Sequence, residues 1–224
     1  KMVQHCATLG LSRIAVVGED DAMGRAGLEA VNKAIAELKL PPLVASAFMP
    51  RNSTQVDAAV ATIQAAKPQA IIQAALFQST AAFIQKMRKA GYAGGFLNFS
   101  AVGINPLYTA LGNDIGGVVV AQVVPPPRSL SVPVVREYTA AIENSDESPS
   151  YESLEGFIAA KTLGEALRRG GRGPDLQKTL TAMRLYDVGR LRQYPRSRPR
   201  YNTAAIGLVS IQHDGRTVLR CTLP

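Results

Sequence analysis

The chain has 224 residues, 46% of them hydrophobic, and a formal net charge of +8. That length carries one large domain or two small ones with a substantial core, and no apolar run is long enough to span a bilayer. The positive charge excludes less than it suggests, because it is local. Between residues 168 and 200, ten Lys and Arg residues face only Asp175 and Asp187, so this stretch holds the whole excess. Pro195 and Pro199 interrupt it, and no aromatic stacking platform or recognition-helix pattern accompanies it. A solvated loop or a contact to a neighbour fits better than a nucleic-acid groove. Cys6 and Cys221 form no disulfide framework and no metal-ligand spacing with a histidine; one terminal disulfide or two free thiols both remain open. The opening KMVQHCATLG has none of the features of an export signal, so the compartment is not visible in it.

In chain order, 12–17 (SRIAVV) reads as a buried strand, and 23–38 as a helix with apolar residues at helical spacing, stopped by Pro41 and Pro42. A strand follows at 43–49, a polar turn at 50–54 and a helix at 55–66 with Val56, Ala59, Val60 and Ile63 on one face. Pro68 opens a strand at 69–75, and a helix at 79–90 closes on Gly91, suited to a left-handed C-cap. Residues 95–99 form a fourth strand, 105–111 a short helix, and 117–124 a fifth strand ended by Pro125, Pro126 and Pro127. Strands separated by single helices need crossover connections, which predicts an α/β fold with a parallel, doubly wound sheet covered on both faces.

Beyond the prolines the pattern changes. Residues 132–142 and 151–169 read as helices, and Pro174 at an N1 position starts a third. The segment 204–212 alternates as a strand, and Asp214-Gly215 turns it back into a hairpin with 216–220. Three consecutive helices without a sheet, with Phe157, Ile158, Leu163 and Leu167 among their apolar residues, call for a partner surface.

Catalytic and cofactor motifs are missing where they would be expected. The turn at 18–27 after the first strand lacks the glycine spacing of a dinucleotide loop and the Lys-Ser/Thr of a P-loop, and its three acids at a helix N-terminus favour capping and repel phosphate. There is no Gly-x-Ser-x-Gly elbow, and His5 and His213 assemble no base–nucleophile pair. Glu152 and Glu155 share a helix face that solvation explains. The sequence therefore implies no enzyme, no cofactor and no metal.

Three stretches carry a resemblance: SRIAVVGEDDAMGRAGLEAV at 12–31, AAFIQKMRKAGYAGGFLNFSAVG at 81–103, and VVREYTAAI at 134–142 with PSYESLEGFIAAKTLGEAL at 149–167. Their order and spacing resemble type I periplasmic solute-binding proteins of the branched-chain amino-acid (leucine–isoleucine–valine) ABC transporter group, from Lys1 to about residue 187; 188–203 departs from that pattern. The resemblance implies a C-terminal lobe at 1–124 and 204–221. Residues 125–203 would be a helical segment of an N-terminal lobe most of which is missing.

It implies an extracytoplasmic, periplasmic protein that holds a small organic ligand in an interlobe cleft and delivers it to ABC permease membrane subunits. The ligand groups would come from the C-terminal ends of parallel strands. Asp21 and Met23 lie in the first such loop, where the family often has an aromatic at the Met23 position; Met23 offers an adaptable apolar contact or covers the core. Phe77 and Gln78 lie in the second, with Phe77 either a ligand contact or a core residue. Ser100 stands in the third, where the amino-acid receptors place an acid to pair with the ligand ammonium. Serine brings no charge, so a neutral or anionic ligand (an amide, or an aromatic or aliphatic acid) stands beside an amino acid. Tyr151 matches a cleft-facing tyrosine or packs its own helix. The alternatives are a ligand-sensing domain of a regulator or receptor, and a truncated remnant that forms a homo-oligomer through its orphan helices and binds nothing.

Overall fold

The computed structural model describes residues 1–170 and 175–183, and the backbone of the strands at 186–187, 192–193, 207–211 and 217–220. Pro174, most of the arginine-rich segment, His213, the Asp214-Gly215 turn and Cys221 lie outside the described residues. The chain forms two compact units, one of Lys1–Ala121 with Leu208–Thr222 and one built mainly of Gln122–Gly207.

In the first unit the strands are β1 (Ile14–Glu19), β2 (Ala45–Met49), β3 (Ala70–Ala74), β4 (Gly95–Phe99) and β5 (Val118–Gln122). They pair in parallel, β2 and β3 on either side of β1, then β4 on β3 and β5 on β4. The hairpin of β8 (Gly207–Ile211) and β9 (Thr217–Arg220) is antiparallel and extends the sheet beyond β5 to the order β2-β1-β3-β4-β5-β8-β9. The α/β class read from the alternation of strands and helices is the observed one.

Side chains alternate across the sheet. One face, with Ile14, Val16, Ala70, Ile72 and Leu97, packs on α1 (Met2–Thr8) and α2 (Ala22–Glu37). The other carries Ala15, Val17, Ile71, Phe96 and Val118. It meets α4 (Phe77–Lys89), whose Phe83 stands edge-on to Phe96 at a ring separation of 6.4 Å. Helices α3 (Asp57–Ala65) and α5 (Ile104–Leu111) flank α4. Each fully buried aliphatic side chain contributes about 1.5–3 kcal/mol of transfer free energy.

Two local devices fix the helices. Helix α4 ends in a Schellman motif: Gly91 adopts φ +86°, its N–H donates to Arg88 O at 2.9 Å and Tyr92 N–H donates to Met87 O at 3.0 Å. Helix α2 starts against the end of β1, and a Cβ on Gly24 would sit 1.9 Å from the Glu19 carbonyl oxygen. Only glycine allows that approach.

Three expectations are corrected. Helix α1 was not anticipated; it buries Met2, Val3 and Cys6 against the sheet, and Cys6 is a free thiol. Strand β1 runs to Glu19 rather than ending at Val17. Helix α4 begins at Phe77, two residues before the expected start, because its first turn is capped from another strand, as shown below.

The second unit holds α6 (Pro133–Ile142), α7 (Tyr151–Gly170) and α8 (Asp175–Ala182), with a two-stranded antiparallel pair, β6 (Tyr186–Asp187) and β7 (Arg192–Gln193). The orphan helices build a core of their own from Val124, Val134, Val135, Tyr138, Leu154 and Ile158, with Phe157 and Tyr151 packed against it. The Tyr138 hydroxyl joins α6 to α7 by bonding Ser153 Oγ and accepting from Ser150 N–H at 3.2 Å. Phe157 and Ile158 are thus covered within the unit, whereas Leu163 and Leu167 remain exposed.

Candidate ligand-binding site

Parallel pairing sends β1 to β5 out of the sheet at the same edge. Gly18 is level with Ala74, and Gln73 with Asn98, so the segments after β1, β3 and β4 leave side by side. Neighbouring strands are about 4.8 Å apart, which places the ends of β1 and β4 about 10 Å from one another. This is the edge at which open α/β sheets bind ligands. It gathers Asp21, Met23, Phe77, Gln78 and Ser100.

The five differ in what they have free. Asp21 is the N-cap of α2: Oδ1 accepts from Gly24 N–H at 2.9 Å, and Oδ2 lies 3.5 Å from Arg51 Nε. Its carboxylate is committed to the helix and an arginine, and neighbouring Asp20 is paired with Arg25. The acids at this turn therefore cap and pair locally. Met23 is exposed in the first turn of α2. Phe77 is half-buried and Gln78 exposed, both in the first turn of α4 rather than in a loop. Ser100 is half-buried at the start of a 3-10 turn, Ser100–Val102, and its hydroxyl makes no hydrogen bond among the described residues. Tyr151 belongs to the second unit, where it starts α7 and packs against that unit's core.

Sequence reasoning missed the residue that organises this edge. Glu19, the last residue of β1, is fully buried. Its Oε1 accepts from Ser79 Oγ at 2.8 Å, Asn52 N–H at 2.9 Å and Leu76 N–H at 3.3 Å. Ser79 Oγ in turn accepts from Ser53 N–H at 3.0 Å. Leu76, the N-cap residue of α4, has no side chain able to cap. The Glu19 carboxylate meets one of the orphan N–H groups there and the positive end of the helix dipole, which lets α4 start at Phe77. The one signal in the sequence was an acid closing an apolar run, and it reads equally as part of an acidic capping turn.

A second buried polar pair lies beneath. Gln73 Nε2 donates to Asn98 Oδ1 at 2.8 Å, and Asn98 Nδ2 donates to Val119 O at 3.1 Å. Among the described residues no cluster of three or more His, Cys, Asp or Glu side chains is arranged to hold a metal ion, and no helix is long and apolar enough to cross a membrane. Glu152 and Glu155 are exposed on α7.

Open α/β sheets generally bind ligands at such an edge, and comparison with known proteins makes the family specific. The chain belongs to the periplasmic binding protein family, whose profile matches residues 1–207. The arginine-rich 188–203 stretch, expected to depart from the family, falls inside that match. A substrate-binding periplasmic protein from Ralstonia solanacearum is 32% identical, with 98% of this chain and 64% of that chain covered and a TM-score of 0.82. A possible leucine/isoleucine/valine-binding protein from Rhodopirellula baltica SH 1 is 25% identical, with 97% and 62% covered and a TM-score of 0.81. A type 1 periplasmic binding protein from Bordetella pertussis Tohama I shares the fold at 16% identity, with 98% and 63% covered and a TM-score of 0.81. The chain thus spans less than two thirds of the length of these structures. No curated protein matches it.

Proposed function

We propose that the chain is an extracytoplasmic solute-binding component of an ABC importer. Its ligand is a small organic molecule, an amino acid, an amide, or an aromatic or aliphatic acid. On this reading, 1–124 and 204–221 form the C-terminal lobe and 125–203 supplies helices of the other lobe. The division into two compact units near Ala121 and Leu208 supports that assignment.

The observation that carries the reading is the convergence of Met23, Phe77, Gln78 and Ser100 on one strand edge, in a chain of this family. Met23 and Phe77 present apolar surface to a ligand body. Gln78 and the Ser100 hydroxyl supply neutral hydrogen bonds. The acids at 20 and 21 are already paired with arginines, and Ser100 adds no charge, so a ligand ammonium finds little here to oppose it. That favours amides and organic acids over α-amino acids as the first ligands to test.

Isothermal titration calorimetry of the full chain against leucine, leucinamide, benzoate and 4-methyl-2-oxopentanoate is the direct test. Saturable heat with at least one of the four is expected, and it should weaken at least tenfold in Ser100→Ala or Gln78→Ala. Absence of heat with all four, in a folded sample, refutes binding by this chain.

A further inference from the structure

Three buried oxygens in the first unit have no hydrogen-bond partner among the described residues: Glu19 Oε2, Gln73 Oε1 and Thr80 Oγ1. All three residues are fully buried. Topology places the three residues at one end of the sheet. Val17 pairs with Gln73 across β1 and β3, and Glu19 lies two residues further along β1, so Glu19 and Gln73 share a face of the sheet. Thr80 adjoins Ser79, whose hydroxyl donates to Glu19 Oε1 at 2.8 Å from the first turn of α4. The carboxylate is thus lopsided: one oxygen takes three donors and the other takes none.

Buried polar groups are satisfied almost without exception, and the chemistry of these three specifies the partner. Two of them, the carboxylate and the amide oxygen, only accept. The third, a hydroxyl, can donate. A water molecule matches that set, donating to Glu19 and Gln73 and accepting from Thr80. We propose that Glu19 is the positioning residue of the ligand-bearing edge, and that its second oxygen, Gln73 Oε1 and Thr80 Oγ1 hold one internal water. One group then ties three segments: the end of β1, the turn through Asn52 and Ser53, and the start of α4 that carries Phe77 and Gln78. The inference rests on the solute-binding reading for the importance of that edge, and on hydrogen-bond accounting for the site itself.

The test uses the full chain without any solute, so it stands or falls apart from the binding proposal. Water–protein cross-relaxation measured by NMR should show a long-lived water near Thr80 and the Leu76 amide. Amide exchange in Glu19→Ala should accelerate at Asn52, Ser53 and Leu76 at least tenfold more than at Val16 and Ile72 in the sheet. Glu19→Gln keeps the accepting oxygen and sets an amide where Oε2 stood. The water then accepts from that amide instead of donating to the carboxylate, so the water signal should persist while exchange at Asn52 rises less than in the alanine variant. Should Glu19→Ala fail to fold, the glutamine variant carries the test alone. Acceleration of Asn52 and Leu76 merely in step with Val16 and Ile72 would overturn the positioning role. No long-lived water in the wild type overturns the site. A melting temperature that rises with sodium or potassium chloride, relative to choline chloride at equal ionic strength, and loses that rise in Glu19→Gln, also overturns it in favour of a bound cation.

Discussion

Arg88 is the most informative residue to perturb away from the ligand edge. It sits at the opposite end of the strands, in the last turn of α4. Its Nη1 donates to Tyr92 O at 2.6 Å and to Gly94 O at 3.0 Å, and its Nη2 donates to Gly116 O at 2.5 Å. The guanidinium carbon lies 4.8 Å over the Phe96 ring and 5.9 Å over Tyr92. One planar cation thereby joins the turns that feed β4 and β5. Hydrogen bonds from a charged donor contribute about 1.5–3 kcal/mol each, and a cation–π contact about 0.5–2 kcal/mol. The three carbonyls belong to turns that water can reach after truncation, and bonds sharing one donor are not additive. Arg88→Ala should therefore cost about 2–3 kcal/mol, or about 5–10 °C in a domain of this size. Lysine keeps the charge but not the fork, so it reaches fewer carbonyls, and Arg88→Lys should cost about 1 kcal/mol or more. Urea titration followed by far-UV circular dichroism, with the slope of the transition unchanged, gives both values. An alanine variant within 0.5 kcal/mol of wild type, or a lysine variant equal to wild type, would show that the fork holds nothing.

The remaining predictions concern the interior and the helices. Burial in α1 pushes the Cys6 thiol up to about 11, so a disulfide reagent at pH 8 should react only slowly until denaturant is added. Because the neutral thiol is the favoured form, its contribution to stability is complete below pH 9 and lost as pH rises toward 11; urea midpoints measured from pH 8 to 11 test the sign. Gly24→Ala places a Cβ against the Glu19 backbone and should cost about 2 kcal/mol or more. Gly156→Ala, exposed in α7 with nothing within 4 Å of the added Cβ, should stabilise by about 0.5–1 kcal/mol. Thermal denaturation of the two side by side separates close approach from helix propensity, and a Gly24→Ala protein as stable as wild type would reject the former.

Local pattern alone determined the architecture. The strand–helix alternation from Ile14 to Gln122 demands crossovers, and crossovers demand a parallel sheet. Gly91 marked the end of α4, and 95–99 marked β4 to the residue. These features depend on neighbours within a turn or a strand, which is the range over which periodicity and capping act. The edge that gathers Phe77, Gln78 and Ser100 followed from the same logic, since parallel strands all end on one side.

Only the tertiary structure decided the rest, because the partners involved are remote in the chain. Glu19 and Ser79 are separated by 60 residues, so nothing near Leu76 in the sequence reveals that α4 is capped from β1. Asp21 was both a ligand candidate and one of three acids favouring capping; Gly24 is its local cap partner, and the arginine beside its other oxygen, Arg51, comes from 30 residues along the chain. The seven-residue α1 is too short for periodicity to reveal, and it is held by burial of Met2, Val3 and Cys6. Whether an apolar helix face is covered is likewise a property of packing: Phe157 and Ile158 found neighbours in α6, and Leu163 and Leu167 did not. Sequence periodicity reports which face of an element is apolar, and long-range contact alone settles what that face, or a buried carboxylate, will meet.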